Sequence, residues 1–210
     1  GVWDFIVMNN GTVINNGTFD LSGMTGALIF NGNGSLLGSS NYTLQAVTRG
    51  AGPNLLTFQA GRTYNIAGNI TFTGSAGNLI QIRSSTPGTK FYFNRTGGTP
   101  NIAFCDIQDL GVTQSNMAVT ADNSRDRGNT ENVNFRYVIA STNDTGPATF
   151  REILHSIGPS GGIINANAMP ISIPMASPFP ELVTPYVTID TSAATGGFMT
   201  INGQGTVADG

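Results

Sequence analysis

Short runs in which apolar and polar residues alternate recur about every ten residues through the middle of the chain. The clearest are Ile70/Phe72, Ile80/Ile82, Phe91/Phe93 and Ile102/Phe104, each bounded by Gly, Pro, Asn or Ser. A period of two sends successive side chains to opposite faces of a strand, so each run predicts a short β-strand with one buried face. The stretch from Thr63 to Leu110 holds the pattern most densely. Before it, strands are predicted at Ala27–Phe30, Thr43–Val47 and Leu55–Phe58, and Asn-Asn-Gly-Thr occurs at Asn9 and again at Asn15, close to Val13/Ile14 and Phe19. Within and after it, the pattern predicts Tyr64–Ile66, Asn69–Thr73, Leu79–Arg83, Lys90–Asn94, Asn101–Ile107, Met117–Ala121 and Val133–Val138. In the run Asn101–Ile107, strict alternation puts Ile102 and Phe104 on one face and Ala103 and Cys105 on the other. The lone Cys105 has no disulfide partner in the chain and reads as a small buried thiol.

The rhythm breaks once. Phe150, Ile153, Leu154 and Ile157 fall at i, i+3, i+4 and i+7, Thr149 and Glu152 form a capping box, and Gly158-Pro159 supplies a stop. This predicts one α-helix near 149–157, too short to stand alone and suited to covering the open end of a β-core. Strand patterns resume at Gly162–Ala166, Ile171–Ile173, Val187–Asp190 and Phe198–Ile201, and four prolines from Pro170 to Pro180 mark edges and corners.

Regular short strands fit a sandwich, a propeller or a solenoid. Composition separates them: only 10% of residues are charged while 39% are hydrophobic, and the polar surface is left to Asn, Thr, Ser and Gln. In a solenoid like residues stack coil upon coil, so Asn forms hydrogen-bonded ladders while stacked like charges repel. The net charge of −3, with nine Lys and Arg, leaves no basic footprint for nucleic acid and no polybasic patch for an anionic membrane. No apolar run is long enough to cross a bilayer as a helix. The chain starts at Gly1 without Met and stops at Gly210 in strand rhythm, so it is expected to be a window through a longer polypeptide.

Several segments carry a family resemblance. Phe58-Gln-Ala-Gly-Arg-Thr-Tyr-Asn-Ile-Ala-Gly, Gly74-Ser-Ala-Gly-Asn-Leu-Ile-Gln-Ile-Arg, Phe104-Cys-Asp-Ile and Asn132-Val-Asn-Phe resemble coil repeats of large bacterial surface or secreted β-helix proteins. Asp144-Thr-Gly-Pro-Ala-Thr-Phe-Arg-Glu-Ile, followed by Val187-Thr-Ile-Asp and Ile201-Asn-Gly-Gln-Gly, is similar to the helix and strands that open another such domain. The resemblance covers about two-thirds of the chain and implies an all-β, right-handed parallel β-helix solenoid with one short capping helix. It implies residues 1–136 as the late coils of one β-helix, and 137–210 as the capping helix and first coils of a second. It places the protein outside a bacterial cell, secreted or on the surface.

Candidate chemistry is sparse. Six of the twelve carboxylates lie between Asp106 and Asp144: Asp106, Asp109, Asp122, Asp126, Glu131 and Asp144. Asp106, Asp109, Asp122 and Asp126 are the candidate ligands for Ca²⁺, the one cofactor in view, or the source of an acid pair. Their spacing matches no compact Ca²⁺ loop, and the preferred reading is a turn region with Arg125, Arg127 and Arg136 as ion-pair partners. Pectate lyases and polygalacturonases share the fold, but the chain has no Asp-Asp pair, and Asn143-Asp144-Thr145-Gly146 matches their Asn-Thr-Asp-Gly motif only with its order disturbed. His155, the single histidine, lies off the apolar face of the helix and is expected exposed. Trp3, Tyr42, Tyr64, Tyr92 and Tyr137 are the candidates for a sugar-stacking platform, some of them bound to be core. Seven Asn-x-Ser/Thr triplets begin at Asn10, Asn16, Asn33, Asn41, Asn69, Asn94 and Asn143. With no catalytic constellation visible, the chain reads as a non-enzymatic stalk, filament or adhesin segment. Its expected partners are neighbouring segments, identical chains and cell-surface glycans. The alternative is a polysaccharide-binding or polysaccharide-cleaving protein of the same fold.

Overall fold

The alternating runs become strands whose inward side chains stack, coil on coil, into one core. The structure is a computed structural model that describes residues 5–49, 54–139, 143, 149–159, 161–166, 171–175, 187–192 and 199–203, with only the backbone described at 166, 171–175 and 199–203. The first coil holds β1 (Ile6–Met8), β2 (Gly11–Ile14) and β3 (Phe19–Asp20). The second holds β4 (Leu28–Phe30), β5 (Gly34–Leu37) and β6 (Tyr42–Leu44), and the third β7 (Val47–Arg49), β8 (Leu55–Phe58) and β9 (Thr63–Ile66). The fourth holds β10 (Ile70–Thr73), β11 (Ile80–Ser84) and β12 (Phe91–Arg95), and the fifth β13 (Pro100–Ala103), β14 (Cys105–Ile107) and β15 (Leu110–Val112). A 3-10 turn at Ser115–Met117 leads to β16 (Val119–Asp122), β17 (Arg125–Asp126) and β18 (Val133–Ile139). Helix α1 (Phe150–Ser156) follows, then β19 (Gly162–Ala166), β20 (Ile171–Met175), β21 (Val187–Asp190) and β22 (Met199–Gly203).

Corresponding strands pair in parallel along the axis. Sheet A runs β1-β4-β7-β10-β13-β16-β18-β19-β21, sheet B runs β2-β5-β8-β11-β14-β17, and sheet C runs β3-β6-β9-β12-β15, while β20 and β22 pair apart. The result is a parallel β-solenoid of about seven turns with a single short helix among the described residues, the fold class expected from the pattern.

Stacking in register makes the core a set of ladders. Tyr42 and Tyr64 face each other between β6 and β9, rings 5.1 Å apart and nearly parallel, and across the core between sheets B and C Phe58 stacks on Phe91 at 4.7 Å. Each such ring, buried from water, contributes about 2 kcal/mol. The Tyr64 hydroxyl donates to the Leu36 carbonyl at 2.6 Å and accepts the Gln59 amide at 2.8 Å, so its polar end is satisfied inside the coil. Three of the five candidate stacking aromatics are thus interior: Tyr42, Tyr64 and Tyr137 are at most 1% exposed. Tyr92 stays at the surface of β12, and Trp3 lies outside the described residues. Among the described residues no outward platform forms from these rings.

The polar ladders explain the low charge. Like charges stacked at the strand spacing of about 4.8 Å repel by about 1 kcal/mol per pair even in water. Asn instead bonds coil to coil: Asn94 Nδ2 donates to Asn65 Oδ1 at 2.8 Å, and Asn31 Nδ2 to Asn9 Oδ1 at 3.0 Å. The Asn-x-Ser/Thr triplets gain a structural reason here. The Oδ1 atoms of Asn10, Asn16, Asn33, Asn41 and Asn69 accept the backbone amides of Asn33, Ser39, Leu55, Thr63 and Thr99, each one coil further on. Each side chain pins the next coil at its corner.

Three strand expectations change. Thr43–Val47 is two strands, β6 and β7, with a corner between them. Asn101–Ile107 is likewise split into β13 and β14 at Phe104, whose φ of 52° turns the chain. This corner resets the alternation, so Ile102 and Cys105 both point into the core, and Phe104 does not share the Ile102 face as predicted. Met117 closes the 3-10 turn, and the strand begins at Val119. Pro174 lies in β20, a strand of the two-stranded sheet, while Pro170, Pro178 and Pro180 are outside the described residues.

Sheet C ends at β15 and sheet B at β17, and α1 then covers the exposed core. The Thr149 hydroxyl accepts the Glu152 amide at 3.2 Å, the expected cap, and Phe150, Ile153 and Leu154 join the same apolar cluster as the strands. The Tyr137 hydroxyl reaches the Ser156 carbonyl at 3.2 Å. Beyond the helix, a Cβ on Gly158 would strike the Asp126 carbonyl of β17, so glycine lets the chain lie against the end of sheet B. Strand β18 itself spans the expected 136/137 boundary, sheet A continues into β19 and β21, and Ile164 belongs to the same core.

Candidate functional site

The outer face of sheet B carries two columns of side chains along the axis. One reads Thr12, Ser35, Thr57, Arg83 and the other Leu55, Gln81, Asp106, Arg125 in strand register. Ile80, Ile82, Leu56 and Ile107 take the inward positions between them, which forces the alternate residues outward. At the last coils these columns converge on a single carboxylate.

Asp106 receives three arginines. Arg83 Nη2 lies 2.5 Å from Oδ1, and its Nη1 also donates to the Asp106 carbonyl. Arg127, just past the end of β17, approaches with Nε 3.1 Å from both oxygens and Nη2 3.1 Å from Oδ2. Arg125 Nη1 stands 3.8 Å from Oδ2. The guanidiniums roof the carboxylate, leaving its side chain 8% exposed while that of Arg127 remains 48% exposed. The hydrogen bond to Asp106 raises the Arg127 pKa further above its ordinary value, so Arg127 stays charged at any pH the fold tolerates. Among the described residues no second carboxylate pairs with these arginines, so the cluster holds three positive charges against one negative. Three of the nine Lys and Arg in an acidic chain meet here.

The other candidate carboxylates are elsewhere. Asp109, at φ 63°, accepts the Gly88 amide at 3.1 Å and Asn129 Nδ2 at 2.7 Å, tying two turns together. Asp122 on sheet A pairs with Arg136 at 2.6 Å, and Glu131 lies 3.4 Å from Lys90. Asp126 faces inward in register with Ile107 and accepts the Gly128 amide at 2.8 Å. Asp106, Asp109, Asp122 and Asp126 are therefore spread over an outer face, a turn and the core end. Among the described residues no three His, Cys, Asp or Glu side chains gather where they could hold a metal. Asp144 lies outside the described residues, as do residues 144–146 of the motif that begins at Asn143.

His155 is exposed on the last turn of α1, and Cys105 is fully buried. Burial pushes the Cys105 thiol far above its usual pKa, leaving it a packing group rather than a nucleophile. Arg95 was not singled out in the sequence, yet it is buried at the end of β12, donating to the carbonyls of Met117 at 2.7 Å and Gly98 at 2.9 Å. It braces two turns.

Arg125 and Arg127 were identified as ion-pair partners from their proximity in sequence, but Arg83 was not. Its signal is the coil period: Arg83 precedes Asp106 by 23 residues and Arg127 follows it by 21, one turn either way. Compared with known proteins, the chain matches no family model, no curated protein and no solved structure.

Proposed function

We propose that this chain is a structural and adhesive segment of a larger β-solenoid protein displayed outside the cell. The observation that carries the reading is the continuity of the stack. Sheet A passes through nine strands over one apolar core, with Asn pins joining successive coils. Such a ladder supplies reach and stiffness at low charge, which is what a stalk or filament requires. Antibodies raised against residues 54–139 are expected to label intact, unpermeabilised cells and the extended material on them. Label appearing only after permeabilisation would refute the proposal.

A polysaccharide-directed role is the second reading, favoured by one observation, the partly exposed Arg125 and exposed Arg127 at the end of the outer face of sheet B. A panel of acidic and neutral polysaccharides tests it by retention on the protein and by chain shortening. Shortening would make the protein an enzyme, retention alone a binding module, and neither result would remove this reading.

A further inference from the structure

We infer that Arg83, Arg125 and Arg127 form a seat for an oxyanion group of an acidic polysaccharide laid along the outer face of sheet B. The inference rests on the second, polysaccharide-directed reading and names its site and ligand chemistry. Three guanidiniums share one carboxylate, and Asp106 is already enclosed by them. The arrangement is neutralised only in part. A buried pair satisfies itself, but this cluster retains two positive charges at a half-exposed surface in a protein whose net charge is −3.

The three arginines are held unequally. Arg83 is anchored at 2.5 Å, and Arg127 spends Nε and Nη2 on Asp106, which leaves its Nη1 without a partner among the hydrogen bonds of the described residues. Arg125 is the loosest, at 3.8 Å, with its Nε enclosed and lacking an acceptor among the described residues. A guanidinium fork matches the paired oxygens of a carboxylate or a sulfate, and Arg125 on β17 and Arg127 just beyond its end bring two such forks to the same carboxylate.

The surroundings choose a sugar polymer over other polyanions. Along the axis from Arg83 run the hydroxyls of Thr57, Ser35 and Thr12, one per coil at the strand spacing, and beside them lie the Gln81 amide and the partly exposed Leu55. Hydroxyl and amide groups in a straight row suit the hydroxyls of successive sugars, and Leu55 suits an apolar ring face. A protein partner would seek a larger apolar centre. Nucleic acid would meet an overall acidic chain with too few cations to follow a backbone.

The test measures retention of dextran sulfate, polygalacturonate, neutral dextran and single-stranded DNA on the whole 210-residue chain by calorimetry at low and moderate salt. The expected result is binding of dextran sulfate, polygalacturonate or both, with none of neutral dextran; which acidic polymer binds tells sulfate from carboxylate. Arg125→Gln with Arg127→Gln is expected to weaken binding at least tenfold, Arg127→Lys by less, and Arg136→Gln, which removes a cation paired on sheet A, by less than twofold. Circular dichroism and melting confirm that each variant is folded; should the double variant melt early, Arg127→Gln alone replaces it. Binding that is indifferent to Arg125 and Arg127, or binding of neutral dextran alone, would overturn the seat and leave the polysaccharide reading standing, while no binding to any of the three polysaccharides would overturn both. Equal loss with Arg136→Gln, or DNA bound as tightly with the same arginine dependence, would overturn the assignment of this site to a polysaccharide.

Discussion

Asp106 shows how a residue's role depends on neighbours one coil away. It is 5% exposed on an outer face only because Arg83, Arg125 and Arg127 cover it. Asp106→Asn therefore removes the one charge holding three cations together and should lower stability by about 2 kcal/mol, measured by urea unfolding. The deficit should shrink in 0.5 M salt, because what remains is screened repulsion among the arginines. Two glycines separate backbone conformation from crowding. Gly61 and Gly98 have nearly equal φ, 70° and 66°, but a Cβ on Gly61 meets nothing within 4 Å while one on Gly98 strikes the Gly68 carbonyl of the previous coil. Gly61→Ala should cost about 1 kcal/mol and Gly98→Ala at least twice that, read from the same unfolding midpoints.

Helix α1 was legible in the sequence because its signal is local. The period of Phe150, Ile153 and Leu154, and the Thr149 cap, need no knowledge of the rest of the chain. Its value to the fold comes from the core end it covers. Ile153→Ala should destabilise by about 3 kcal/mol through the cavity left under the helix, and Thr149→Ala by about 1 kcal/mol through the lost cap. His155→Ala, on the exposed side, should change stability by less than about 0.5 kcal/mol. Thermal melts of the three variants check the order; a His155 effect as large as that of Ile153 would mean that the helix presents another face. The strands divide differently. Leu55–Phe58, Gly162–Ala166 and Val187–Asp190 match their expected bounds, whereas β13 and β14 were merged because the corner at Phe104 occupies a single residue without Gly or Pro.

Across the whole molecule the solenoid collects tyrosines in its interior, and this sets its response to alkali. Burial raises the pKa values of Tyr42, Tyr64 and Tyr137 above the ordinary 10.0. In the unfolded chain these groups ionise near pH 10, while the folded chain keeps their protons. Their contribution is therefore fully present below pH 10 and is lost as pH climbs from there toward the folded values. Urea stability should be flat from pH 7 to 9 and fall above pH 10 by about 1.4 kcal/mol per pH unit for each of Tyr64 and Tyr137, with tyrosinate absorbance appearing together with unfolding. Stability unchanged at pH 11 would mean that the rings are not interior. By itself the sequence determined the strand rhythm, the helix and its cap and the neutral polar surface, because alternation, capping and charge density act over a few residues; the burial of Cys105 followed from its being a lone thiol, not from alternation. Only the tertiary structure decided which faces look inward past each corner, that Tyr42, Tyr64 and Tyr137 are core, and that Asp106 meets Arg83 and Arg127. Those outcomes depend on the coil period, which varies from 14 residues between Val119 and Val133 to 30 between Ile70 and Pro100 as turns lengthen. A period that drifts from turn to turn is invisible to local pattern and emerges only when the strands are paired.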